Sequence, residues 1–290
     1  MTRMKQALAV LLALCLAAAF PVCASGEEEP LALTPLGDNR FRCEYGGAAR
    51  RLLIDLPEDP AGSGLILMLH GYGGTAESFH LDTGFADAAL ERGYTVVWVT
   101  GTPDPAVRTS ATGWRYESGG TDVAFLSALA EAVQRDYHTD ETRTCAVGFS
   151  NGAFMAHCLA AEAGDSFSAV VSVAGTMDVS VWENRPETCQ VSFLQITGEK
   201  DAVVPKNSDG SARYARDPAI EDVIAWCADG LSLCETIPIG HGSTLTCYTD
   251  DSTRRTVWHL QVKDGRHSWS SERFTGIDTN ALILDFLQSA

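Results

Sequence analysis

The chain has 290 residues, of which 45% are hydrophobic and 20% charged, and its net charge is −17. That length holds one large α/β domain or two smaller ones, and the apolar share suffices for a sizeable core, which excludes a generally disordered chain. A surface this acidic, with no basic cluster, repels phosphate backbones and anionic lipid, so nucleic-acid binding is excluded on electrostatic grounds.

Residues 1–24 carry Arg3 and Lys5, then an apolar stretch from Ala7 to Phe20, then the small-residue site Val22-Cys23-Ala24. This is the pattern of a secretory signal peptide cleaved near Ala24, giving a secreted or periplasmic protein with no stable membrane anchor. The apolar stretch is too short to span a bilayer comfortably. A lipid anchor on Cys15 or Cys23 is the weaker reading, because Leu14 and Val22 stand where a small residue is usual. Losing Arg3 and Lys5 removes two positive charges and takes the net charge from −17 to −19. Cys43, Cys145, Cys158, Cys189, Cys227, Cys234 and Cys247 then remain. Export permits disulfides, and the odd number leaves at least one thiol unpaired in a monomer. Cys227, Cys234 and Cys247 fall close together, and Cys234 with Cys247 is the preferred pair. Cys145 and Cys158 read as buried small apolar residues. No Cys/His spacing suggests a metal site.

In chain order, residues 25–38, with Glu27, Glu28 and Glu29, read as a flexible mature N-terminus. Arg40–Tyr45 and Arg50–Leu56 predict an antiparallel hairpin across Gly46-Gly47. Leu65–Leu69 is a continuous apolar run, as in a strand buried on both faces, and it ends in His70-Gly-Tyr-Gly-Gly74. Leu81–Arg92 predicts a helix and Tyr94–Val99 a further buried strand. The long Gly-, Pro- and Ser/Thr-rich loop Gly101–Gly120 contains Trp114; long loops of this kind are more often functional than structural. Thr121–Tyr137 has helical apolar spacing with Thr121 as cap. Ala169–Val173, Val191–Ile196 and Arg255–Val262 predict strands, Thr244–Tyr248 a short extended piece, and Asp217–Asp229 and Asp278–Leu287 helices. Strands alternating with helices imply a mainly parallel central sheet with helices on both faces, whose reactive groups lie at strand carboxyl ends.

Arg143–Glu162 passes from an apolar strand through Gly148-Phe-Ser-Asn-Gly152 into a helix. A nucleophile elbow has this form, with Ser150 at its apex; a plain strand-to-helix turn with a surface serine is the alternative. A serine hydroxyl needs a base to take its proton and a carboxylate to orient that base. Asp201 and His267 each follow a predicted strand and complete the order Ser, acid, His. Asp178 is the rival acid; His241 is a weaker rival base, while His259, His157 and His70 read as structural. Backbone N–H groups of Tyr72 and Asn151 are the candidate oxyanion donors.

The motifs LHGYGGTAESF at Leu69–Phe79, GFSNGAFMA at Gly148–Ala156, TGEKDAVVP at Thr197–Pro205 and GRHSW at Gly265–Trp269 carry a resemblance. From about Arg51 to Leu287 the chain resembles secreted polyhydroxybutyrate-depolymerase-like and feruloyl-esterase-like α/β-hydrolases. The resemblance implies an α/β-hydrolase catalytic domain over residues 39–290 and assigns Tyr72, Ser150, Asp201 and His267 their roles. It implies a serine carboxylesterase without cofactor, acting on feruloyl or acetyl esters of plant polysaccharide, with short polyhydroxyalkanoates next. Trp114, Trp269 and Arg266 are the candidate substrate contacts. Two positions depart from the family pattern: Arg266 replaces a glycine before the histidine, and Ser270 replaces a proline. A serine peptidase and a silent binding protein on the same fold are the competing readings, and oligomeric state is left open.

Overall fold

The computed structural model describes residues 29–105, 111–205, 216–250 and 255–290. The expected signal peptide, with Cys15 and Cys23, lies outside the described residues.

The chain enters through β1 (Thr34–Gly37), β2 (Arg40–Tyr45) and β3 (Ala48–Asp55), an antiparallel meander. Gly46 and Gly47, with φ of 57° and 76°, make the two-residue turn between β2 and β3. Then follow β4 (Gly64–Leu69), α1 (Ala76–Thr83), α2 (Ala86–Glu91), β5 (Tyr94–Val99), and the short ribbon of β6 (Thr102–Pro103) with β7 (Thr112–Gly113). Next come α3 (Thr121–Tyr137), β8 (Thr144–Phe149), α4 (Asn151–Glu162), β9 (Ala169–Val173), α5 (Val179–Asn184) and β10 (Ser192–Gly198). The chain ends with α6 (Ile220–Cys227), β11 (Ser232–Ile239), β12 (Ser243–Thr249), β13 (Thr256–Val262), α7 (Glu272–Thr275) and α8 (Thr279–Ser289).

Eleven strands form one sheet in the order β1-β2-β3-β5-β4-β8-β9-β10-β13-β12-β11. From β5 to β13 every neighbouring pair is parallel, and antiparallel strands flank this centre on both sides. β4 shows why an unbroken apolar run is needed at the centre. Its Leu65, Leu67 and Leu69 join Phe125, Leu129, Met155, Leu159 and Val223 on the face covered by α3, α4 and α6. Ile66 and Met68, on the opposite side of the pleat, join Phe79, Phe85, Ala89, Ile283 and Phe286 under α1, α2 and α8.

Several expectations change. The helix expected at Leu81–Arg92 is two helices, α1 and α2, because Gly84 takes a left-handed conformation that caps the first. Thr75, not a residue near Leu81, starts α1 through a capping box with Ser78. Residues 25–38 read as a flexible N-terminus; 25–28 lie outside the described residues, but in the rest β1 pairs with β2, and Leu31 and Leu33 pack against the core. The cap of α3 is Gly120 rather than Thr121. Cys234 and Cys247 are both free thiols; a bulge leaves Cys234 exposed and places Glu235 opposite the buried Cys247, so the expected pair is not formed. Among the described residues, no helix is long and apolar enough to cross a membrane.

Candidate active site

β8 ends at Phe149, and Ser150 sits between strand and helix with φ of 52° and ψ of −115°. A non-glycine residue in this region is strained and persists only where its surroundings hold it. Here they do. A Cβ on Gly148 would lie 2.0 Å from Gly152 O, and one on Gly152 would lie 2.0 Å from Leu69 O, so both positions must be glycine for strand and helix to meet. Ser150 N donates to Val173 O on β9 at 2.9 Å, and its own carbonyl accepts from Ala153 N and Phe154 N to begin α4. The hydroxyl is thereby raised above the carboxyl ends of β8 and β9.

Asp201 follows β10 and His267 follows β13, two neighbouring parallel strands. Their loops are tied by main-chain bonds: Glu199 N to Val262 O at 3.1 Å and Lys200 N to Gly265 O at 2.7 Å. Asp201 Oδ1 accepts from Val203 N and Val204 N, at 2.8 and 2.9 Å, leaving Oδ2 for His267 Nδ1 at 2.8 Å. His267 Nε2 meets Ser150 Oγ at 2.8 Å. The carboxylate can only accept, so Nδ1 carries the proton and Nε2 is the free acceptor facing the hydroxyl. Phe149 packs against the imidazole, with ring centroids 5.3 Å apart.

The loop after β4 crosses beside this group, with Gly71 against Phe149 and Ser150. Its Gly73 N–H is committed to Thr112 O and its Gly74 N–H to Gly71 O. His70 is buried and neutral: Nδ1–H donates to Gly71 O, Nε2 accepts from Gly101 N, and burial lowers its pKa below 6.5. It shapes the loop and does not face Ser150. Asn151 is the first residue of α4, where backbone N–H groups have no helical acceptor.

The rival acid and the other histidines fall elsewhere. Asp178 caps α5 by accepting from Ser180 N, so the rival acid is a helix cap. His241 bonds Phe274 O, His259 faces Thr197, and His157 is buried against Ser172. The Trp114 indole turns inward, donating to His70 O and packing at a tilt against the His70 ring. Trp269 donates to Asn280 Oδ1 and packs edge-on against Phe79 and Phe85. Both aromatics therefore spend their polar handles inside the protein. Arg266 is exposed, and with Trp269 and Phe274 it lines a cavity of about 540 Å³ on the outer side of the His267 loop.

Beside Tyr72 and Asn151 lies another cavity of about 330 Å³, lined by Asp104, Trp114, Tyr116 and Glu117 among others. Its wall joins the candidate residues to others that sequence patterns do not mark, among them Asp104, Asp122 and Arg50. Asn151 Oδ1 accepts from Trp114 N, Tyr72 Oη donates to Asp104, and Asp122 accepts from Arg115 N while ion-pairing with buried Arg50. Among the described residues, no group of three or more His, Cys, Asp or Glu is placed to hold a metal ion.

A mixed sheet with a strained serine after a central strand, and an acid and a histidine after the next strands, defines an α/β-hydrolase. The Prolyl oligopeptidase family matches residues 86–201, a span that contains Ser150 and Asp201 and stops before His267. A putative esterase, NocK, from Nocardia uniformis subsp. tsuyamanensis is 33% identical over 248 residues, covering 75% of this chain and 69% of that protein. A probable feruloyl esterase C from Aspergillus clavatus is 34% identical over 95 residues, a third of each chain (33% and 34%). The acetyl xylan esterase from Aspergillus awamori superposes with a TM-score of 0.62 at 14% identity, over 90% of this chain and 99% of that one. The chain belongs to the esterase-like α/β-hydrolase family.

Proposed function

We propose that this protein is an exported serine esterase that cleaves carboxylic esters through an acyl-enzyme. The observation that carries the reading is the single imidazole bonded at 2.8 Å to Ser150 on one side and to Asp201 on the other. Ser150 Oγ attacks the ester carbonyl carbon as His267 Nε2 takes its proton, and Asp201 stabilises the imidazolium. The oxyanion is held by the backbone N–H groups of Asn151 and Tyr72. Collapse expels the alcohol, protonated by His267, and water then enters by the same route and frees the acid.

Acetyl and feruloyl esters of plant polysaccharide are the favoured substrates. The names of the feruloyl and acetylxylan esterases to which the chain is similar support this choice. The leader supports export. The cavity beside Asn151 and Tyr72 is where one side of the ester is received, and its polar, acidic wall suits hydroxyl-rich groups better than anions.

Turnover of p-nitrophenyl acetate, methyl ferulate, acetylated xylan and a hydroxybutyrate oligomer tests the reading. Wild type is expected to hydrolyse the acetyl or feruloyl substrates. Ser150→Ala is expected to lose about 10⁴-fold or more in kcat/KM with an unchanged melting curve. Retained turnover in that variant, or no turnover of any ester by wild type, overturns the proposal.

A further inference from the structure

Two cysteines far apart in sequence meet in the core. Cys189 lies just before β10 and Cys227 is the last residue of α6; both are buried in the same cluster. Both are free thiols in this structure, and Cys227 is the largest influence on the acidity of Cys189, so the two side chains lie within interaction range of each other. One side chain draws the two backbones together. Arg255, just before β13, donates from Nη1 to Cys189 O at 2.8 Å and to Cys227 O at 2.6 Å, and from Nη2 to Asp229 O at 2.7 Å. A single nitrogen bonded to both carbonyls keeps the two residues adjacent, as a disulfide requires of its Cα and Cβ atoms.

We propose that Cys189 and Cys227 form an intramolecular disulfide when the protein matures in an oxidising compartment. Among the described residues Cys234 and Cys247 also lie near each other on paired strands, but no single group binds both of their backbones as Arg255 binds those of Cys189 and Cys227. Cys234 is exposed on the edge strand, Cys247 is opposed by Glu235, and Cys43, Cys145 and Cys158 are buried thiols. Burial pushes the thiols of Cys43 and Cys247 up to about 11 and that of Cys145 to about 12. Cys189 moves the other way, drawn down first by the Cys227 thiol and also by the nearby Arg255 charge.

The chemistry needs an external disulfide, either of a thiol–disulfide oxidase or of a small disulfide such as oxidised glutathione. The Cys189 thiolate attacks one of its sulfurs, forming a mixed disulfide and releasing one thiol. Cys227, losing its proton, then attacks the Cys189 sulfur and releases the second thiol. Two electrons and two protons pass to the external disulfide, and one S–S bond replaces another. Because both thiols are buried in the finished fold, the exchange belongs to folding, before α6 docks. The closed loop contains β10 and Asp201, so the bond restrains the segment that delivers the candidate acid.

Peptide mapping decides the matter. Protein from an oxidising compartment, or protein refolded in a buffer of oxidised and reduced glutathione, is denatured in N-ethylmaleimide without reductant, digested and weighed. The expected result in both preparations is one linked pair, Cys189 with Cys227, that separates on reduction, with the other cysteines alkylated. Alkylation of both residues before reduction in the refolded sample, or a different linkage there, overturns the proposal. A bond present after refolding and absent from exported protein instead counts against the export reading. As a second measurement, dithiothreitol should lower the wild-type Tm by about 5–10 °C. The Cys189→Ala/Cys227→Ala variant should start lower and not respond. A wild-type Tm indifferent to reductant also overturns the proposal.

Discussion

The turn that carries Ser150 and the paired loops that carry Asp201 and His267 stand at the same rim of the sheet, but different forces hold them. Around Ser150 the backbone is crowded: Gly148 and Gly152 lie where a Cβ would strike main-chain atoms, and the serine itself is forced to φ of 52°. Around Asp201 and His267 the main chains also run close, since a Cβ on Gly198 would lie 2.6 Å from Gly265 O, but the side chains take their positions from hydrogen bonds: two to Asp201 Oδ1, one between Oδ2 and Nδ1, and the main-chain bonds that join the two loops. The candidate nucleophile is thus built into the fold. The candidate acid and base are fitted to it by exchangeable polar contacts.

Gly152→Ala should break the first arrangement and produce the largest effect. Its new Cβ would meet Leu69 O at 2.0 Å and approach His70 O, both backbone atoms of the strand end and loop that flank the nucleophile. Relief requires separating α4 from β4, at a cost of about 3 kcal/mol or more. Thermal melts and soluble yield should fall together with esterase activity. A Gly152→Ala protein that melts within about 2 °C of wild type and retains turnover would show that crowding does not fix the elbow.

Asp201→Asn tests the second arrangement and should separate activity from folding. The amide oxygen can still accept from Val203 N and Val204 N, so the loop and the Tm should change little. The amide nitrogen then faces His267 Nδ1 and cannot accept its proton, which favours the wrong tautomer and removes the charge that stabilises imidazolium. A fall of about 10³–10⁴ in kcat, with KM nearly constant, is expected from steady-state kinetics. Unfolding as severe as that of Gly152→Ala would erase the distinction between the two regions.

The same distinction explains what was legible in the sequence. The elbow, the Tyr72 loop, Asp201 and His267 could be read because each immediately follows a short apolar strand, and parallel topology brings strand ends to one rim. β1 and β11 were not readable. Every residue of β1 is exposed, and β11 is exposed at all but Ile239, so neither strand shows the alternation that marks a half-buried face. The direction of the Trp114 and Trp269 indoles was equally hidden. Whether an aromatic in a loop faces solvent or core depends on partners such as His70 O and Asn280, which are distant in sequence. The encounter of Cys189 with Cys227 depends on Arg255, from a third element, and no spacing rule connects them.

The packing beneath the elbow has a measurable pH signature, although it should be the smallest of these effects at neutral pH. His157 lies on the inner face of α4, with Nε2 3.0 Å from Ser172 Oγ and its ring 5.1 Å from that of Phe193. Complete burial lowers its pKa to about 3, so the folded protein keeps the imidazole neutral. The unfolded chain takes up a proton below pH about 6.5, and from there down to about 3 it binds more protons than the native state does at this residue. Stability is therefore lost as pH falls through that window and is unaffected by this group above it. His157→Gln removes the titration while keeping a polar group near Ser172. At pH 7 the variant should be less stable by about 1 kcal/mol, for the lost ring packing. By pH 4 the gap should close or reverse, since the wild type alone loses about 2–3 kcal/mol through this histidine. Urea unfolding of both proteins at the two pH values measures the difference. A gap that stays constant would mean that the imidazole beneath the elbow can take up a proton without leaving the fold, and that the packing there is looser than the crowding at Gly148 and Gly152 implies.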